Sequence, residues 1–276
     1  AASDVYKRQG YPFWPELTGG AVFEDDVQKD IFAHYAGNAV EIDAGHLDAL
    51  CEAARRNSIA IYAGIIERTR ERGGFSLYAC LVYISPEGKI GSAHRKLMPT
   101  YEERLVWSPG DGNGLRVHDL EGFTVGGLNC WENWMPLPRA ALYGLGENLH
   151  VAVWPGSRRN TIDITRFIAR ESRSFVVSVS GMMHADRIPD SVPHADRIRQ
   201  AASGWLADGG SCVAGPDGQW VLEPQVEEEG LFVVEIDRND VARERQNFDV
   251  AGHYSRPDVT KLRVNRKRQK TVSFED

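Results

Sequence analysis

Cysteine is scarce in this chain, and its four copies, Cys51, Cys80, Cys130 and Cys212, stand far apart with no CxxC pair. That scatter argues against a zinc module or a disulfide scaffold and fits reduced thiols, one of which can be reactive. Long apolar runs are also missing. No stretch approaches the roughly 20 apolar residues that span a bilayer, and the first residues hold no signal-peptide core. The expectation is a cytoplasmic protein without membrane contact. Positive charge is not in excess: the formal net charge is -7, which gives no general reason to bind nucleic acid. Repetition is nearly absent. The pentapeptide His184-Ala185-Asp186-Arg187-Ile188 recurs once, at His194-Ala195-Asp196-Arg197-Ile198. Two copies make no repeat architecture, and a polar loop is expected there.

What is present suits a large globular domain. The chain has 276 residues, 42% of them hydrophobic and 26% charged, enough for a sizeable core. The first nine residues, AASDVYKRQ, stand apart. Residues 4–9 back-translate to a string resembling the end of a transposon adapter used for sequencing libraries. Residues 1–9 are therefore expected to be a non-native tail, and residues 10–276 one domain.

Apolar periodicity sets the elements. Helices are expected over Ile42–Asn57, Arg139–Gly146 and Ile162–Ser172. Strands are expected at Ile59–Glu67, Ser76–Ile84 and Lys89–His94, the last two joined by the turn Pro86-Glu87-Gly88. Further strands are expected at Phe123–Asn129, Leu149–Trp154, Phe175–Ser180, Ser211–Ala214, Gln219–Leu222 and Leu231–Ile236. Apolar runs alternating with helices indicate an α/β protein with a buried sheet. The basic stretch Lys261–Lys270, interleaved with Leu262 and Val264, reads as a solvated strand or an inter-subunit contact.

Cys130 ends an apolar strand in Gly126-Gly127-Leu128-Asn129-Cys130-Trp131-Glu132-Asn133, and Pro136 precedes the next helix. A sharp strand-to-helix turn of this kind exposes nucleophiles in other α/β hydrolases. Backbone N–H groups and the positive helix end there favour a thiolate. A buried small hydrophobe is the other reading, and the local pattern leaves both open. Lys96, at a strand end before Leu97-Met98, reads as a cation aimed into a cleft or as a solvated charge. Glu103 reads as an exposed carboxylate that pairs with Arg104 or another base.

Longer segments carry a family resemblance. His94-Arg95-Lys96-Leu97-Met98-Pro99-Thr100, Glu103-Arg104, Trp107 and Pro109-Gly110-Asp111-Gly112 resemble the lysine segment of nitrilases. Leu128-Asn129-Cys130-Trp131-Glu132-Asn133 with Pro136-Leu137 resembles their cysteine segment. Gly146-Glu147, His150, Trp154-Pro155-Gly156, Gly215-Pro216-Asp217-Gly218 and Gly252-His253-Tyr254-Ser255-Arg256-Pro257-Asp258 are similar to the family's later segments. The likeness runs from Gly10 over nearly all the rest.

The resemblance implies an α-β-β-α sandwich, here expected to lack its first strand, with a Glu–Lys–Cys triad. It implies Cys130 as nucleophile, Lys96 as the triad cation and Glu103 as a second glutamate near the site. Trp131, Glu132 and Trp154 are implied to bind substrate. The triad glutamate of the family precedes the segment resembling Gly10-Tyr11-Pro12. Residues 1–9 contain no glutamate, and Glu16 lies on the wrong side of that segment. This 276-residue chain is therefore expected to hydrolyse nitriles poorly or not at all. No metal or organic cofactor is implied. The partners implied are a small-molecule nitrile and further copies of the chain, as a homodimer or a larger spiral. The competing expectations are an amidase, a carbamoylase or a cyanide-degrading member of the superfamily, or a non-catalytic oligomer that binds a small molecule.

Overall fold

A computed structural model describes residues 12–272. The expected tail over residues 1–9, with Gly10 and Tyr11, lies outside the described residues. The chain forms two compact units made of interleaved segments. The first comprises residues up to Gly114, then Met183–Leu206 and Arg266 onward; the second comprises Leu115–Met182 and Ala207–Asn265.

In the first unit, β1 (Ile61–Arg68), β2 (Leu77–Ile84) and β3 (Ile90–Arg95) form an antiparallel sheet in that order. The predicted hairpin is present: the Ser85 N–H donates to the Lys89 carbonyl, and Gly88 takes a φ of +75°. β2 is nearly continuous in apolar residues because both its faces are covered. The period of two sorts the side chains. Ala63, Ile65, Cys80, Val82 and Ile84 pack with Leu47 and Ala54. Ile66 and Leu77 turn to the other face, toward Trp14, Ile31 and Trp107.

The helices here are α1 (Trp14–Leu17), α2 (Asp26–Gly37) and α3 (Asp48–Asn57). α2 starts where the Asp25 carboxylate accepts the Val27 N–H at 2.9 Å. The helix expected over Ile42–Asn57 is split. A 3-10 turn over Ile42–Ala44 ends at Gly45, whose left-handed φ of +78° stops it before α3 begins.

In the second unit the sheet contains β4 (His118–Leu120), β5 (Phe123–Asn129), β6 (Leu149–Trp154) and β7 (Phe175–Ser180). It continues with β8 (Met182–His184), β9 (Trp205–Ala214) and β10 (Trp220–Val226). Strand order is β10-β9-β7-β6-β5-β4, with β8 beside β9. β5, β6 and β7 run parallel, linked by α4 (Pro136–Tyr143) and α5 (Arg158–Ser172). Pro136 opens α4 at its first turn, where a missing N–H is harmless. α5 covers the sheet with Ile164, Ile168 and Ala169, which pack on Ala152, Trp154, Val176 and Ala214.

Three expectations are corrected. Leu231–Ile236 forms no strand among the described residues; Leu231 and Val233 are 90% and 80% exposed, so alternation alone found no neighbour to pair with. The second copy of the repeated pentapeptide is not loop. It opens α6 (Ala195–Ala201), where Ala195 and Ile198 are buried. The basic stretch is no strand either. Arg268 donates to the Asp111 carboxylate at 3.1 Å and to the Ala93 carbonyl at 2.9 Å, all three residues within the first unit.

Gly126 in β5 has a packing reason. A Cβ at Gly126 would lie 2.2 Å from Glu147 Oε1, inside the space that this carboxylate fills. Gly126→Ala is expected to destabilise the protein by about 1–3 kcal/mol, as overpacked interiors do. Urea unfolding checks this, and an unchanged midpoint would contradict it.

Candidate active site

Cys130 sits at the carboxyl end of parallel β5, where α/β folds place their reactive groups. Its φ is +54°, a left-handed conformation that costs a non-glycine residue about 1–2 kcal/mol. The next turn, Cys130–Trp134, is a 3-10 segment with Asn129 as its cap. The Glu132 carboxylate accepts the Asn129 N–H at 3.0 Å, completing a reciprocal capping box. The turn thus holds a strained residue in place, an arrangement found at functional sites.

The side chains around this turn differ in accessibility. Cys130 is buried and packs with Ala152, Trp154 and Ile164. Trp131 is 50% exposed, its ring 6.2 Å from that of Trp134. Glu132 and Trp154 are fully buried. Trp154 Nε1 donates to Ser178 Oγ at 3.3 Å, and Ser178 and Thr165 hydroxyls are 2.6 Å apart. Arg139 on α4 is also buried. It donates to the Asn133 carbonyl at 2.7 Å and meets Glu171 through both nitrogens of its fork.

The first unit holds the other sequence-predicted residues. Lys96 follows β3 directly and is 1% exposed. Its Nζ lies 2.5 Å from Glu103 Oε2 and donates to Thr100 Oγ1 at 3.0 Å. Glu103 also accepts the Thr100 N–H at 2.5 Å, as part of the capping box that starts the 3-10 turn Tyr101–Leu105. The Trp107 ring centroid lies 6.0 Å from Lys96 Nζ, and Trp107 Nε1 donates to Tyr35 Oη at 3.1 Å. The solvated-charge reading of Lys96 is therefore wrong: it is a buried ammonium paired with a buried carboxylate. Beside it, Arg95 and Glu67 form a second buried pair through two bonds of 2.7 and 2.6 Å. Gly110 is required here as well, since a Cβ would lie 2.2 Å from the Arg95 carbonyl.

The other cysteines lie within regular elements, Cys51 in α3, Cys80 in β2 and Cys212 in β9. Burial pushes the Cys80 thiol well above its usual range, and burial also raises Cys212 and Cys51. In native protein at neutral pH, iodoacetamide is expected to leave Cys80 and Cys212 unmodified until urea opens the fold. Peptide mass mapping checks this; early modification of either would contradict it.

A model of the carbon–nitrogen hydrolase family matches residues 10–246, most of the chain and both units. The chain belongs to the carbon–nitrogen hydrolase family. As a carbon–nitrogen hydrolase it is an enzyme acting on non-peptide C–N bonds. It is 36% identical over 269 residues to a nitrilase 2 from an unknown prokaryotic organism, covering 97% of this chain and 82% of that one. It is 36% identical over 274 residues to nitrilase 1 of Arabidopsis thaliana, covering 96% and 76%. It is 36% identical over 241 residues to an aliphatic nitrilase of Sinorhizobium fredii, covering 87% and 76%.

Solved structures show the fold. An amidase from Nesterenkonia sp. superposes with a TM-score of 0.58 at 20% identity, covering 79% of this chain and 77% of that one. A carbon–nitrogen hydrolase from Helicobacter pylori gives 0.57 at 16% identity, covering 92% and 80%. The fold of this hydrolase is accordingly that of the nitrilase superfamily, mixed α/β as expected. Among the described residues, no helix is long and apolar enough to cross a membrane.

The buried polar groups behind the hydrolase's cysteine, Asn133, Glu147 and His150, have no role that residue order alone assigns. One signal was available: His150 is a polar residue inside the apolar strand Leu149–Trp154.

Proposed function

We propose that this enzyme hydrolyses a nitrile to the carboxylic acid and ammonia. The observation that carries the reading is Cys130 on its left-handed turn at the end of β5, followed by the exposed Trp131. The relatives named as nitrilases support it. The Cys130 thiolate adds to the nitrile carbon, and nitrogen takes up the charge. Lys96 and a backbone N–H near Trp131 stabilise that nitrogen; one such donor is typically worth about 10²–10³-fold. Protonation gives a thioimidate. Water adds to its carbon, ammonia leaves and a thioester remains. A second water releases the acid and restores the thiol. Glu103 holds Lys96 and orients water. Trp131 touches the substrate, while Glu132 and Trp154 shape the site from behind the cysteine.

A free thiol is only a few per cent ionised at neutral pH, so a carboxylate base ahead of Gly10 belongs to this scheme. The 276-residue polypeptide, with no glutamate in residues 1–9, is expected to run about 10²–10⁴-fold slower than a version given one there. Ammonia release from nitriles and from their matching amides, measured on both versions, tests the proposal. Faster release from nitriles supports it. Release from amides alone would replace it with the amidase assignment, and equal rates from the two versions would remove the upstream base. We further propose a cytoplasmic homo-oligomer. Its contacts would involve α4, which exposes Leu137 at 63%, and the basic C-terminal segment. A monomer mass by light scattering would contradict that.

A further inference from the structure

Asn133, Glu147 and His150 are each fully buried and lie in series behind Cys130, all within the second unit. Asn133 Nδ2 donates to the Cys130 carbonyl at 2.9 Å and to the Leu128 carbonyl at 3.2 Å. Two carbonyls occupy both of its N–H bonds, so the amide can stand only one way round, with Oδ1 pointing away as an acceptor. His150 Nε2 lies 2.8 Å from that Oδ1 and therefore donates to it. The opposite ring nitrogen, Nδ1, meets Glu147 Oε1 at 2.9 Å, a contact that needs a proton on one of the two atoms.

Glu147 is held in turn. Its backbone carbonyl accepts from Arg245 at 2.6 Å, and its carboxylate fills the space left by Gly126. Its second oxygen, Oε2, is buried with no hydrogen-bond partner. A fully buried carboxylate so placed is a poor device for stability alone, since apolar side chains of similar volume are often no worse. Its direction is informative: the series ends on the carbonyls of Leu128 and Cys130, and Cys130 is the residue whose φ is +54°.

We infer that Asn133, His150 and Glu147 form a positioning relay that holds the Cys130 backbone in its left-handed conformation and so sets the reactivity of the thiol. The inference rests on Cys130 being the nucleophile. None of the three touches the substrate. The relay fixes the carbonyl, the carbonyl fixes the turn, and the turn aims the sulfur.

The test is the rate at which iodoacetamide alkylates Cys130 in the full chain, followed by peptide mass mapping, with Cys51 as internal reference. It requires no turnover. The unaltered chain sets the reference rate, and a glutamate placed ahead of Gly10 is expected to raise the Cys130 rate above that of Cys51. His150→Leu is expected to slow Cys130 by about 10–100-fold, the scale of a misplaced reacting group, and to leave Cys51 unchanged. His150→Gln, which keeps a donor for Asn133 Oδ1, is expected to recover most of the loss. Should His150→Leu fail to fold, Asn133→Asp carries the same expected slowing, because it keeps the shape and removes the donors to the Cys130 carbonyl.

A Cys130 rate within twofold of the unaltered chain in folded His150→Leu or Asn133→Asp would overturn the relay. So would a His150→Gln variant as slow as His150→Leu. If Cys130 reacts no faster than Cys51 even with a glutamate placed ahead of Gly10, the nucleophile assignment itself falls. That outcome is separate from a fast thiol indifferent to the relay.

Discussion

Cys130→Ala is expected to abolish nitrile hydrolysis, by on the order of 10⁴–10⁶-fold in a version of the protein given a glutamate ahead of Gly10. In the proposed mechanism the sulfur forms the bond that divides a difficult hydrolysis into two easier additions, and alanine offers nothing in its place. The remaining donors still bind and polarise substrate, so a small residual rate above water is consistent with the assignment. The fold should survive, because Cys130 contributes only a small side chain to its cluster. Backbone conformation adds a second, sharper expectation. At φ +54° alanine remains strained and glycine does not, so Cys130→Gly should unfold at higher urea than its lost side chain alone would suggest. Ammonia release measures the first effect and urea unfolding the second. Activity above about one per cent of the parent in Cys130→Ala would remove Cys130 from the mechanism.

Lys96→Met is expected to damage stability and chemistry together, and the two effects can be separated. Lys96 and Glu103 are 2.5 Å apart, with side chains 1% and 2% exposed. Deleting one partner of a buried pair leaves the other charge uncompensated, which costs about 3–5 kcal/mol. The same substitution removes a cation proposed to stabilise charge on the nitrile nitrogen, worth about 10²–10³-fold in turnover. Adding Glu103→Gln to Lys96→Met removes the stranded carboxylate. The double variant should regain most of the stability and none of the activity. Unfolding midpoints and ammonia release on the single and double variants decide it. A double variant no more stable than Lys96→Met would show that the pair is not held by its opposite charges. Recovered activity would remove Lys96 from the chemistry.

Much of this is legible in the order of residues alone. The run Ser76–Ile84 predicts a doubly covered strand, and β2 is one. Gly126-Gly127 leading to Cys130, with Pro136 beyond, predicts a strand-to-helix turn, and Cys130 stands on one. These features are local. A strand's period and a proline's fixed φ are written within a few residues.

Expectations fail where a distant element decides. Leu231–Ile236 has a strand's pattern but no neighbouring strand among the described residues. The pentapeptide at 184 and at 194 takes two conformations, one ending β8 and one opening α6, because its surroundings differ. Ile42–Asn57 has a helix's pattern, yet Gly45 turns left-handed within it.

Residue order was enough for the family, the α/β class and the strand-to-helix turn at Cys130. Those depend on short-range geometry, which a motif preserves. Folding in three dimensions was needed to bury the Lys96 ammonium, to make Gly126 the space for Glu147 and to tie His150 through Asn133 to the Cys130 carbonyl. A charge or an imidazole looks the same in sequence whether water or protein surrounds it. Its role depends on which segments fold over it, and long-range packing sets that.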